Sequence, residues 1–76
     1  MVTVLKRNIT GKNIQTIRMN RKISQEQLAA KLNLLGINID QTIISRIENQ
    51  TREILDYELK GIAIALHITI EDLFKE

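Results

Sequence analysis

Gln41, Thr42, Ser45 and Arg46 are hydrogen-bonding side chains crowded into one short segment, with no acid after Asp40 until Glu48. A glutamine amide can pair with adenine through two bonds in a major groove, a hydroxyl can donate or accept, and a guanidinium suits guanine or a phosphate. If the segment is helical, Ile44 and Ile47 turn inward at i, i+3 and the four polar side chains turn outward. A short helix with such a face is what groove reading requires. A polar outer face is also what any surface helix carries, so the pattern alone leaves both readings open.

Other chemistries have little to work with. The chain has no Cys, which excludes disulfides and thiolate metal sites. Its single His, His67, does not make a His-rich metal site. His67 falls at the expected end of a helix, where it reads as a structural cap, with a proton switch as the alternative. Glu71 and Asp72 open a helix, where carboxylates suit the dipole rather than acid–base work. Tyr57 and Phe74 are too few and too far apart to stack single-stranded bases. No nucleophile with a base, phosphate loop or zinc motif is present. The expectation is a chain with no metal, no cofactor, no small-molecule ligand and no catalytic activity.

The elements that would carry the polar face are helices. At 76 residues and 43% hydrophobic, with no Pro and three Gly, the sequence is expected to make one small all-α domain over 1–76. Residues 1–9 read as an arm, in which Val2, Val4 and Leu5 could meet the core or a partner. Helix 1 is expected from about Thr10, with the Thr10 hydroxyl as cap, to Lys22, with Ile14, Ile17 and Arg21 on one face. Ser24 and Gln27 make a capping box for helix 2, roughly 25–35, and Leu28, Ala29, Leu32 and Leu35 form its apolar stripe. Gly36 suits the residue past its end. Asp40 caps helix 3, from Gln41 to about Asn49. Helix 4 starts near Asp56, with Leu59, Ile62, Ala63 and Leu66 at helical spacing. Thr69 opens a short helix 5, with Leu73 and Phe74 as its core residues.

Charge is unevenly spread. Residues 1–22 hold six bases and no acid, whereas residues 53–76 hold six acids against two bases. A basic end on a chain of net charge +2 fits a molecule that turns one face to a polyanion, although a solvated surface can be lopsided by chance. No apolar run approaches the roughly 20 residues of a membrane span, and the start does not resemble a signal peptide. A cytoplasmic protein, with no membrane partner, is expected.

Three stretches in order resemble the Cro/cI-type helix-turn-helix family, also called the XRE family. They are Ser24-Gln25-Glu26-Gln27-Leu28-Ala29, Ile44-Ser45-Arg46-Ile47-Glu48-Asn49, and the run from Leu59 to Phe74. The resemblance covers about residues 10–74 and implies a five-helix, lambda-repressor-like bundle with the motif in helices 2 and 3. It implies that Gln41, Thr42, Ser45 and Arg46 read bases. Gln25 resembles the glutamine that clamps a phosphate and supports the reading helix, and Asn49 and Arg52 resemble a phosphate-gripping loop. Arg18 and Glu48 resemble an ion pair joining helix 1 to the end of helix 3, with a phosphate contact as the other reading of Arg18.

The sequence departs from the family pattern in three places. Leu28 to Ile44 spans 16 positions, more than the family's usual turn, so a lengthened helix 2 and turn is expected. The family's E-N-G is Glu48-Asn49-Gln50, so Asn49 or Gln50 must supply a left-handed residue, at up to about 1 kcal/mol. Leu55 replaces the hydroxyl that often precedes helix 4. The function implied is sequence-specific binding of double-stranded DNA by a transcriptional regulator, expected to be a dimeric repressor on a palindromic operator, with helix 5 and the arm as dimer surfaces. The alternative is a protein-interaction module of antitoxin or anti-repressor type using Leu34, Leu35, Ile39 and Ile43.

Overall fold

The computed structural model describes residues 8–75, so the expected core contacts of Val2, Val4 and Leu5 lie outside the described residues. Within them the chain forms five α-helices and no strand: α1 Gly11–Asn20, α2 Gln25–Leu34, α3 Gln41–Glu48, α4 Asp56–Ala65 and α5 Ile70–Leu73. Every helix contributes at least one fully buried aliphatic side chain to one core: Ile14, Leu28, Leu32, Ile44, Ile47, Ile62, Leu66 and Leu73. Each contributes about 1.5–3 kcal/mol by leaving water. α2 packs on both α3 and α4, and α1 on α3, so the polar segment of interest is held from behind by two helices.

Most starts follow the expected chemistry. The Ser24 hydroxyl accepts from the Gln27 amide while Gln27 Oε1 accepts from the Ser24 amide. Asp40 Oδ1 accepts from the Ile43 amide at 2.9 Å. Thr69 and Asp72 exchange the same reciprocal pair of bonds. At α4, Leu55 has no polar side chain, but its backbone N–H donates to Glu58 Oε1 at 2.9 Å, so half of a capping box survives. Gly36 takes φ +82° and Gln50 takes φ +64°, each in the left-handed region that its position past a helix demands.

Four expectations are corrected. Thr10 stands at the cap position of α1, but its side chain makes no capping bond, and the Gly11 amide donates instead to Asn8 Oδ1. α1 ends at Asn20, so Arg21 lies beyond the helix and is exposed, and Arg18 takes the buried place. Leu35 is 46% exposed, because the chain reverses at Gly36 and Ile37 enters the core in its stead. Phe74 is also 46% exposed, since α5 stops at Leu73.

The long connection between α2 and α3 is an ordered part of the core. Ile37 and Ile39 are buried, and Asn33 Nδ2 donates to both of their carbonyl oxygens, at 2.9 and 3.0 Å. Gly61 on α4 makes room for it: a Cβ there would collide with the Ile37 side chain. Buried backbone that lacks helical partners needs such bonds.

Candidate nucleic-acid interface

α3 positions the polar segment by amphipathicity. Ile44 and Ile47 are fully buried, whereas Gln41, Thr42, Arg46 and Asn49 are exposed and Ser45 is partly so. At about 100° per residue, Gln41, Ser45, Asn49, Thr42 and Arg46 follow one another around a single outer stripe of about 140°. Thr42 and Arg46 make no side-chain hydrogen bond among the described residues, so their polar groups are available.

Behind this stripe runs a connected set of bonds. Arg18 Nε and Nη2 donate to the two oxygens of Glu48 at 2.6 and 3.0 Å, and Arg18 Nη1 donates to the Ile23 carbonyl at 2.7 Å. The two side chains are 10% and 2% exposed. Glu48 Oε1 also accepts from Gln25 Nε2 at 3.0 Å. A carboxylate can only accept, so this contact fixes which way the Gln25 amide points. Its carbonyl oxygen then faces Gln41, whose Nε2 donates to it at 3.3 Å. The expected Arg18–Glu48 pair is therefore present, and it ends on the first residue of α3. The starts of α2 and α3 lie side by side despite the long connection.

The loop after α3 is held separately. Asn49 Oδ1 accepts from the Thr51 amide and hydroxyl, at 3.1 and 2.6 Å, which leaves the Asn49 Nδ2 donors without a partner among the described residues. Arg52 is turned to Glu58: Nη1 and Nη2 donate to Oε1 and Oε2 at 2.9 and 3.1 Å, and Nη1 also donates to the Glu53 carbonyl. Glu58 sits on α4 and is buried. Burial pushes its carboxyl up, but the Arg52 guanidinium and the Leu55 amide outweigh that and hold it below the usual carboxylate range. The bond to Glu58, offset in part by burial, raises the Arg52 pKa in turn.

The sequence reading missed Asn8 and Glu58. Asn8 Nδ2 donates to the carbonyls of Ile47 and Arg52, at 2.8 and 3.0 Å, joining the start of α1 to the end of α3 and its loop. The signal available was a cap-type residue three positions before a glycine. Glu58 stands three residues after Leu55, at the reciprocal position of a capping box whose other half is missing.

The pattern of the helix-turn-helix family matches residues 14–73, most of the chain and all of the site just described except Asn8. The chain belongs to this family. It is thus a member of the Cro/cI-type helix-turn-helix proteins, a family of DNA-binding transcription regulators rather than of enzymes. Comparison with curated proteins and with solved structures gave no match. No helix among the described residues is long and apolar enough to cross a membrane.

Proposed function

We propose that this helix-turn-helix protein is a cytoplasmic repressor that binds a palindromic operator as a homodimer. Gln41, Thr42, Ser45 and Arg46 read bases, and Gln25, Asn49 and Arg52 contact phosphates. The observation that carries the reading is the braced Gln41. With one amide hydrogen given to Gln25, its side chain keeps one donor and one acceptor, the complement of the N7 and N6 edge of adenine. Gln25 and Asn49 offer amide donors beside and beyond the reading helix. Arg52 has donors to spare after satisfying Glu58, because a guanidinium carries five. A single module reads few base pairs, and two half-sites about one helical turn apart supply the rest.

Selection of bound sites from random duplexes, followed by anisotropy titration, tests this. A two-fold symmetric site bound far more tightly than random duplex is the expected result. Equal binding of all duplexes, or none at low salt, rejects the reading.

A second reading has one observation behind it. Leu34 is 88% exposed and Leu35 partly so, although Ile39 is buried and Ile43 half-buried. Exposed leucines favour a protein partner at this end of α2, in the manner of an antitoxin or anti-repressor.

A further inference from the structure

All the exposed residues of α4 fall on one stripe. They are Asp56, Tyr57, Lys60 and Ile64, and at about 100° per residue they span only about 100° of the helix surface. Half of that stripe is apolar. It continues into a groove in which Tyr57, Lys60 and Ile64 face Leu35 and Ile37 across Gly61. A helix face of this kind on a small protein marks an unfilled contact.

The face stands clear of the reading stripe. On α4 its middle lies about 150° around the helix, at about 100° per residue, from Glu58, the residue that holds Arg52. None of the residues assigned to DNA lies on it. A molecule docked there leaves α3 open.

Its charges are self-complementary. Neither Asp56 nor Lys60 has an ion-pair partner among the described residues, although they stand one turn apart on the same stripe. When two such helices run antiparallel about a twofold axis level with Glu58, Asp56 of one copy is level with Lys60 of the other, and the pairing occurs twice. The two Tyr57 rings then meet near the axis. A patch that supplies acid, base and apolar side chains in this order is what an isologous contact needs.

We infer that the α4 stripe, with Leu35, is the surface on which a second copy of this chain docks antiparallel. The inference rests on the dimeric reading above and names its interface, on α4 rather than α5. The groove at Ile9 and Phe74 on the α5 side is lined by Asn8, Thr10, Ile54 and Leu59 besides, and no charged side chain among the described residues lines it.

Sedimentation equilibrium of the full chain tests it. Lys60→Glu faces Asp56 of the second copy with a like charge, and Asp56→Lys faces Lys60. Each variant alone should dissociate at least about tenfold more readily than the parent, because apposed like charges oppose docking. An equimolar mixture of the two should recover the dimer, since both cross-pairs are then opposite in sign. A repulsion confined to one helix would not be relieved by mixing. Ile64→Ser, with no change of charge, should weaken the dimer as well. All three should keep the binding of the parent monomer to a short duplex at low salt. A dimeric parent whose variants dimerise unchanged overturns this interface and leaves the dimer standing. A parent that stays monomeric, alone and on DNA, overturns both. Variants that fold but lose the duplex put the face on DNA and overturn the inference as well.

Discussion

Arg18 and Glu48 meet in a two-bond ion pair between α1 and the last residue of α3, with both side chains withdrawn from water. Such a pair gains little over an apolar contact of the same shape, but losing one partner strands a buried charge, at about 3–5 kcal/mol. A chain of 76 residues at roughly 0.05–0.15 kcal/mol per residue has little margin for that. Arg18→Met should therefore lower the urea midpoint, followed by circular dichroism, by at least about a quarter. Arg18→Met combined with Glu48→Leu should recover much of the loss. An additive or larger loss in the double variant contradicts this account.

Gln25 and Gln41 should behave as a unit in recognition. Gln41→Ala removes a base contact, so discrimination at one base pair should fall by about 1–3 kcal/mol with little change on mismatched sites. Gln25→Ala should weaken all sites. Because it also releases the Gln41 amide, it should erode preference at that same base pair. A double-mutant cycle on matched and mismatched duplexes reads the coupling, expected in the range of about 0.5–3 kcal/mol for bonded neighbours. A cycle that closes at zero would separate the two roles.

Acid should destabilise the fold through Glu58 and Asp72. Burial raises Glu58, but Arg52 and the Leu55 amide lower it further. Asp72 is brought down to about 2 by Lys75 and by the Thr69 amide and hydroxyl. Both groups thus have folded pKa values below their unfolded ones, near 4. Their contribution is complete above that value and is lost as pH falls through the folded values. The melting temperature should be flat from about pH 7 to 5 and drop between roughly pH 4 and 2. Glu58→Gln should be less stable at neutral pH and show a shallower fall in acid.

The sequence made most helix starts legible because a cap is a local event. Ser24 with Gln27, Asp40 and Thr69 each announce a first turn from residues three apart, and the structure keeps all of them. The outer face of α3 was legible for the same reason, since Ile44 and Ile47 alone decide which way it turns. What escaped depends on how one element is brought against another. Asn8 is a cap by type, but its bonds to the Ile47 and Arg52 carbonyls span some 40 positions. Leu35 and Ile37 are equally apolar, and the chain reversal at Gly36 together with the space at Gly61 decides which is buried. Arg52 reads as an exposed cation until α4 brings Glu58 against it.

Arg52 also carries the clearest electrostatic prediction. Glu58 takes two of its guanidinium bonds and Glu53 a third, while the side chain stays 30% exposed. A phosphate can therefore approach the remaining donors without displacing Glu58, and the cation arrives already oriented. Asn49 offers its Nδ2 to the same backbone with no charge. Arg52→Ala and Asn49→Ala should both weaken binding to all sequences. Only a cation releases counterions, so only Arg52→Ala should reduce the slope of log affinity against log salt, by about 0.9 for one phosphate. An Arg52→Ala slope equal to the parent's, with a loss of thermal stability, would confine Arg52 to holding the loop on α4. The same titration with Glu58→Gln separates the parts of the pair. The Arg52 charge remains, so the slope should hold while the affinity falls with the lost orientation.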